Sequence, residues 1–274
     1  MKKQLFVLVL ATMALVSCKS VSYQVYEVKS SDLTQKENSM VFENEDCKIS
    51  YNLWAKDGSM AFIFENKSGR DIFIDLSQSF FIKNGAAFDY YKDRSYETRV
   101  YVGVEEGYSV TRTYIANGNY WPSRYYTPLT ASVKGYASAK AGVSKAVTEK
   151  ESEYVCIPAN AFKVIDVYQI YPTFVQVCDK QIDYPKTYSQ VKTYSESNTP
   201  LKFTNRLAYS FEEGNKSLKF IENSFWLSSI KNYSKKEAIE TNKEKECYSK
   251  VSTKRQYFKI GAPNQFYVEY LTYK

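Results

Sequence analysis

The sequence predicts an all-β fold, an immunoglobulin-like antiparallel β-sandwich, and two features of the chain indicate it. Apolar and polar residues alternate in short runs, and residues that favour tight turns separate these runs at the spacing of a sandwich or barrel. With 274 residues, 44% of them hydrophobic, the chain is long enough to bury a substantial core. We also expect a long middle insertion and a short charged surface helix.

The first eighteen residues carry the features of an export signal. Lys2 and Lys3 precede an apolar stretch over 5–16, which is too short to span a bilayer comfortably. The run 15–18, Leu-Val-Ser-Cys, resembles a bacterial lipobox, in which the cysteine thiol receives a diacylglycerol and the new amino group is acylated after cleavage. We therefore predict a lipoprotein signal peptide over 1–17 and lipidation, with palmitate among the acyl chains, at Cys18. The alternative is an ordinary signal peptide with a cysteine nearby.

The residues after Cys18 indicate where such a lipoprotein would reside. Position 19 is Lys, whereas Asp after the lipidated cysteine is the usual inner-membrane retention signal in enteric bacteria. Positions 19–22 contain no carboxylate, although an acidic cluster directs some lipoproteins to the cell surface. We therefore expect an outer-membrane lipoprotein, with the periplasmic face favoured over the cell surface.

Strand patterns begin soon after this signal. We interpret 18–45 as the lipidated cysteine and a tether with a first strand over 23–28, and 46–274 as the sandwich body. Residues 47–53 alternate, Asp57-Gly58 suits a tight hairpin turn, and apolar runs follow over 60–64 and 72–76 with a turn over 66–69 between them. Residues 80–82 lead into Asn84-Gly85, a strong hairpin signal, from which 86–91 return.

The segment 93–150 interrupts this pattern and is predicted to be a long loop, either functional or disordered. It contains an aromatic cluster beside Pro and Arg, which offers flat surfaces for contact with a ligand or a protein. The alternative is that these aromatic side chains cover the edge of the sandwich. The predicted contact residues are Tyr120, Trp121, Tyr125 and Tyr126.

Strand patterning resumes in the second half of the chain. The predicted strands lie over 154–157, 164–170, 174–177, 207–211, 224–227 and 266–271. Residues 231–259 hold nine Lys or Arg against four Glu, and 235–246 are expected to form a short surface helix with Glu/Lys pairs. A solvated surface is the simplest interpretation of this charge.

Four cysteines remain once Cys18 is set aside, and an even number in an exported chain suggests disulfides. Their spacing leaves the pairing open and lacks a CxxC motif, which excludes a zinc ribbon or a thioredoxin-type site. Free buried thiols are the alternative. The predicted disulfides lie among Cys47, Cys156, Cys178 and Cys247.

The chain contains no histidine, which excludes Ser-His-Asp triads, Cys-His dyads and HExxH zinc sites. The Ser-x-x-Lys patterns at Ser189/Lys192 and Ser228/Lys231 lack their companion motifs. Four aspartates near strand ends remain as a potential glycosidase pair, although such positions are ordinary for structural Asp. These are Asp71, Asp75, Asp89 and Asp93. We predict a non-enzyme without cofactor or metal, and a net charge of +5 after loss of Lys2 and Lys3 argues against nucleic acid.

Several runs together resemble uncharacterised lipoproteins of Bacteroides-type bacteria. They are the lipobox, 23–26, 47–54, 62–68, 72–76, 79–85 and 89–91, with looser similarity over 200–205 and 225–233. The resemblance implies an envelope location and assigns no activity or catalytic residue. We therefore expect a lipid-anchored envelope protein that serves as a binding or structural component, with the membrane, envelope proteins or glycans as partners. The alternative is a glycan hydrolase that uses paired carboxylates.

Overall fold

The structure, a computed structural model, describes residues 19–93, 95–102, 143–171, 184–214, 217–245 and 252–273. These residues form an all-β fold of antiparallel sheets, as predicted. The strands are β1 (Lys19–Lys29), β2 (Thr34–Gln35), β3 (Met40–Glu43), β4 (Cys47–Tyr51), β5 (Phe62–Asn66), β6 (Ile72–Lys83), β7 (Ala86–Asp89), β8 (Ser95–Val102), β9 (Val143–Lys150), β10 (Tyr154–Ile157), β11 (Phe162–Ile165), β12 (Val191–Thr193), β13 (Lys202–Ser210), β14 (Lys219–Ser234), β15 (Ile239–Lys245), β16 (Ser252–Phe258) and β17 (Gln265–Tyr273), and the helix is α1 (Lys235–Ala238). Within these ranges, no helix is long and apolar enough to cross a membrane.

The larger sheet has the strand order β10-β6-β13-β14-β1-β17, with β7 paired to β6 and β12 paired to β14. Its strand β1 is hydrogen-bonded on both sides, to β14 and to β17. The predicted strand over 23–28 is therefore confirmed and extends to 19–29. The range 18–45, interpreted from the sequence as the lipidated cysteine and a tether with a first strand, contains β1, β2 and β3, which belong to the folded body, and Tyr23, Val25 and Tyr26 are buried.

The smaller sheet has the strand order β11-β5-β4-β3-β2. Its strands alternate as the sequence predicts: Cys47, Ile49 and Tyr51 are buried along β4, while Lys48 and Ser50 are half-buried. Strand β5 repeats this pattern. One face of the smaller sheet is therefore apolar and needs a cover.

The larger sheet supplies that cover, because buried side chains of both sheets form one hydrophobic cluster. Phe62 and Phe64 enter it from β5, and Phe203 and Phe225 enter it from β13 and β14. The rings of Phe203 and Phe225 stack with centroids 4.9 Å apart. The two sheets thus face each other across a shared, aromatic-rich core.

A chain of hydrogen bonds crosses this core between the sheets. Tyr51 Oη donates to Asn223 Oδ1 at 2.8 Å and accepts from Asn205 Nδ2 at 2.8 Å. Tyr90 Oη donates to Asn205 Oδ1 at 2.9 Å. Burial raises the pKa of Tyr51 far above its usual value, so the hydroxyl stays protonated and available as a donor.

The predicted turns differ in outcome. Asn84 and Gly85 both have positive φ and join β6 to β7 directly, which confirms the hairpin. Asp57 and Gly58 also have positive φ, but they lie within the connection 52–61 between β4 and β5. A tight hairpin at Asp57-Gly58 is therefore wrong, because this connection packs against other parts of the fold: a Cβ at Gly58 would lie 2.9 Å from side-chain atoms of Ile170 and Phe266.

The segment 93–150 is not loop throughout. Its two ends form an antiparallel ribbon, β8 with β9, in which Ser95 lies opposite Lys150 and Val102 opposite Val143. Residues 103–142, with the predicted aromatic contact residues, lie outside the described residues. The loop prediction is thus wrong at the ends of this segment.

The charged segment forms less helix than predicted. Helix α1 ends at Ala238, and the following residues form β15, which pairs with β16. Ser234 and Glu237 form a capping box at the start of α1, in which each side chain accepts a hydrogen bond from the other residue's backbone amide. The predicted helix over 235–246 is wrong. Ile239 packs against a second apolar cluster, and the residues after it pair with β16 as a strand.

The remaining predicted strands are largely confirmed. Residues 154–157 form β10, and 207–211, 224–227 and 266–271 fall within or overlap β13, β14 and β17. The strand predicted over 164–170 lies earlier, at β11, and 174–177 lie outside the described residues. Each of the two sheets contains strands from both halves of the chain.

Part of the outer face of the larger sheet is also covered. A second apolar cluster contains Tyr23, Val25 and Tyr267, and Phe258 at the base of the β15–β16 ribbon packs on it. The Phe258 ring lies 4.5 Å from that of Tyr267 and 5.3 Å from that of Tyr23. The ribbon is thus fixed to the half of β1 that begins at residue 19.

Candidate functional site

The outer face of the larger sheet is open in the half that the β15–β16 ribbon does not contact, and this half carries a row of large polar and aromatic side chains. Cross-strand pairing aligns Lys29 of β1, Trp226 of β14 and Lys202 of β13. Next to them, Thr204 lies opposite Ser224, and their hydroxyl oxygens are 3.0 Å apart. We call this surface the distal face, because it lies at the end of β1 away from residue 19; it comprises Lys29, Lys202, Thr204, Arg206, Phe220, Glu222, Ser224 and Trp226.

An arginine and a phenylalanine extend the distal face. The guanidinium of Arg206 lies 4.9 Å from the ring centroid of Phe220, which is 50% exposed. Its Nε is 3.4 Å from Glu222 Oε1. Glu222 and Phe220 thus both contact the guanidinium, a group that can stack on or form bidentate hydrogen bonds with a polar ligand.

A cleft of about 250 Å³ opens where the end of β1 meets the segment 30–35. Trp226 and Lys29 of the distal face contribute to its wall, together with Met40, Gln35 and Asn264. Asn264 is held in place, because its Nδ2 donates to the Val28 carbonyl at 3.1 Å. The wall of this cleft thus carries an indole, an ammonium and amide groups, which together can stack on a ligand and form hydrogen bonds with it.

The sequence pattern contained a signal for this surface. Residues 224–227 were predicted to form a strand, and alternation within it places Phe225 and Leu227 on one face and Trp226 on the other. The structure shows Phe225 and Leu227 buried and Trp226 partly exposed. The sequence did not indicate that Lys29, almost 200 residues away, is the neighbour of this tryptophan.

The predicted contact residues Tyr120, Trp121, Tyr125 and Tyr126 lie outside the described residues, as does the predicted lipidation site Cys18. These assignments therefore remain predictions.

The aspartates of the alternative, catalytic prediction have structural partners. Asp75 Oδ1 accepts hydrogen bonds from the amides of Ser77 and Gln78, at 2.9 and 3.1 Å, and so supports a bulge in β6. Asp71 Oδ1 accepts from the amide of Ala159 at 3.0 Å.

The other two aspartates lie at the end of β7 and just beyond it. Asp93 forms an ion pair with Lys150 at 3.1 Å, and its hydrogen bonds with Lys150 and Tyr91 lower the pKa of its carboxyl. Asp89 accepts a hydrogen bond from the Tyr168 hydroxyl through its main-chain oxygen. A lowered pKa suits a structural ion pair and opposes the role of a general acid at neutral pH.

The cysteines divide between described and undescribed positions. Cys47 and Cys156 are free thiols, so the structure does not join them to each other, while Cys178 and Cys247 lie outside the described residues. Burial is the main cause that raises the pKa of Cys47 to about 12. Cys156 is half-buried on β10.

We expect the two described cysteines to differ in reactivity. In the native protein at pH 8, iodoacetamide should modify Cys156 at least about tenfold faster than Cys47, because the thiolate is the reactive form and Cys47 is buried and protonated. Peptide mapping by mass spectrometry measures both rates, and denatured protein is the control in which they become similar. Equal native rates would contradict the burial of Cys47.

In the described ranges, no group of three or more His, Cys, Asp or Glu side chains is arranged to hold a metal ion. The distal face carries aromatic rings, ammonium and guanidinium groups, and hydroxyls, which are groups suited to surface contact. The chain matches no protein-family model, and neither curated proteins nor solved structures yield a match.

Proposed function

We propose that this protein is a lipid-anchored component of a bacterial envelope, held in the outer membrane on its periplasmic face, that binds a partner without catalysis. The lipobox-like run at 15–18 supports the anchor. Lys19, the residue after Cys18, already belongs to β1, which supports an anchor attached directly to the folded body. For the fold, we propose an immunoglobulin-like sandwich, which the two facing antiparallel sheets support.

The open distal face is the observation that carries the binding proposal. It lies at the far end of β1, a strand of eleven residues whose first and last residues are ten steps apart, which corresponds to about 33 Å at about 3.3 Å per step. An anchor at Cys18 would therefore lie at the opposite end of β1 from this face. Phe220 and Trp226 beside Arg206 and Lys202 suit a glycan or a protein of the envelope, since aromatic rings provide large contact area at little entropic cost.

Fractionation tests the anchor. A Cys18→Ala variant expressed in the native bacterium should leave the membrane fraction or accumulate as an uncleaved precursor without lipid, whereas the wild-type protein should stay in the membrane and carry acyl chains by mass spectrometry. A Cys156→Ala variant is the control, since it also removes one thiol. An acylated Cys18→Ala protein would contradict lipidation at this residue.

Affinity electrophoresis through gels that contain envelope polysaccharides tests the binding face. Trp226→Ala should weaken retardation of the protein by at least about fivefold, because it removes the indole ring, the larger of the two aromatic rings on the distal face. Phe162→Ala is the matched control, since Phe162 is 58% exposed but lies on β11 of the other sheet. Equal retardation of wild type and Trp226→Ala would exclude the distal face as the glycan site.

Two further measurements separate this proposal from its alternatives. Joint replacement of Tyr120, Trp121, Tyr125 and Tyr126 by Ala tests the predicted loop in the same gels. Sugar release from the polysaccharides that disappears when one of the four aspartates becomes Asn would contradict a non-catalytic role.

A further inference from the structure

The β15–β16 ribbon concentrates positive charge on one of its faces. Alternation along both strands puts Lys243, Lys245 and Lys254 on the same face as Ile239 and Phe258. The other residues of this face, Thr241, Gln256 and Ser252, are uncharged, and the carboxylate of Glu240 belongs to the opposite face. This face of the ribbon is therefore cationic without local compensation.

The pairing of two of these lysines is unfavourable for the ribbon itself. Lys243 lies directly opposite Lys254, and like charges at such positions destabilise an antiparallel pair. Both side chains are exposed, and among the described residues neither forms an ion pair. An anionic surface that contacts both would remove this repulsion.

The ribbon begins beside the start of β1. Ser22 of β1 lies opposite Ser234, and Ser234 is followed by the exposed residues Lys235 and Lys236 of α1, which leads into the ribbon. Glu237 keeps its negative charge, but hydrogen bonds from the Ser234 amide and hydroxyl at 2.8 and 2.7 Å hold its carboxylate against the start of α1, and the two lysines outnumber it. We call Lys235, Lys236, Lys243, Lys245 and Lys254 the anchor-end lysines.

The position of Cys18 indicates which surface would lie next to these lysines. Residue 18 directly precedes β1, and one residue of chain extends at most about 3.6 Å. Acyl chains at Cys18 would thus hold this end of the body against the bilayer without an intervening linker. We propose that the anchor-end lysines bind the phosphate groups of the anionic phospholipids in the membrane that holds the anchor. This inference rests on the proposed lipid anchor.

Vesicle binding tests the inference in the absence of the acyl chains. The full chain with Cys18→Ser is sedimented with vesicles of phosphatidylcholine that contain about 30% phosphatidylglycerol, and with vesicles of phosphatidylcholine alone. Residues 1–17 are common to all variants, so differences between variants report on the lysines. We expect stronger binding to the anionic vesicles, and we expect this preference to decrease when the salt concentration is raised.

Charge reversal identifies the surface responsible. Lys243→Glu with Lys254→Glu should lower the partition coefficient on anionic vesicles by at least about tenfold, and the corresponding Gln pair should lower it less. Lys29→Glu with Lys202→Glu is the matched control, because it changes the net charge equally but at the distal face. Circular dichroism verifies that every variant is folded.

Two outcomes would overturn the inference: equal binding to neutral and anionic vesicles, or equal loss in the Lys243/Lys254 and Lys29/Lys202 variants. The second would mean that only net charge matters. Failure of lipidation at Cys18 is a separate result, since fractionation of Cys18→Ala in cells detects it and the vesicle assay uses a chain without acyl groups.

Discussion

Replacing Asn66 with alanine is expected to lower the free energy of unfolding by about 3–4 kcal/mol. Asn66 is 1% exposed and lies at the end of β5, where the chain crosses from the smaller sheet to the larger one. Its Nδ2 donates to the carbonyls of Arg70, Ile157 and Pro158 at 2.7, 2.9 and 3.1 Å. Its Oδ1 accepts from the amide and hydroxyl of Ser68 at 2.9 and 2.7 Å.

Alanine would remove five hydrogen bonds, of which the one to the Ile157 carbonyl is fully buried and the other four are part-buried. A buried polar group left unpaired costs about 1–3 kcal/mol, and each further hydrogen bond contributes about 0.5–1.5 kcal/mol. Urea denaturation followed by circular dichroism measures the change. Asn198→Ala is the control, since exposed Asn198 accepts one hydrogen bond from the Ser195 amide, and its loss should cost less than about 1 kcal/mol. A loss below about 1 kcal/mol for Asn66→Ala would contradict its role at the crossover.

Replacing Tyr51 with phenylalanine is expected to cost about 2–3 kcal/mol, although only one oxygen atom is removed. That oxygen connects Asn205 and Asn223, which are both fully buried, and neither finds water when it is lost. The rings around it remain: the Tyr51 ring lies 5.3 Å from that of Phe225 and 5.8 Å from that of Phe62. The cost therefore arises from unpaired amides rather than from lost packing.

The same unfolding measurement separates these causes. Tyr188→Phe removes a hydroxyl bonded to Ser22 at an exposed position and should cost less than about 1 kcal/mol. The double variant Tyr51→Phe/Asn223→Leu should cost less than the sum of its single variants, because it removes one of the unpaired amides. A strictly additive double variant would contradict the hydrogen-bond chain.

The strands and turns of the smaller sheet were predictable because their signals are local. Alternation along 47–51 follows from one buried and one half-buried face, and Asn84-Gly85 forms a hairpin because both residues adopt positive φ. Asp57-Gly58 carries a similar signal and adopts the same φ signs, yet the strands next to it begin several residues away. A turn signal predicts a local conformation and not the length of the strands around it.

The errors occur where a distant segment supplies the decisive contact. Residues 235–246 have helical charge spacing, but pairing with β16 and burial of Ile239 favour a strand after Ala238. Residues 19–29 have the composition of a short strand on a tether, but they lie between β14 and β17, which are about 200 residues later in the chain. Neither partner is visible in a local pattern.

The sequence by itself determined the all-β class, the alternation that divides each strand into two faces, and the absence of histidine-based chemistry, because these depend on composition and neighbouring residues. Only the tertiary structure decided which outer surface stays open. Trp226, Arg206 and Lys29 become one face because β1, β13 and β14 pair across long sequence separations, while Ala238, Trp54 and the base of the β15–β16 ribbon cover part of the other half of the same sheet. Strand pairing over such distances depends on the burial of whole faces, a property of the assembled core rather than of any single segment.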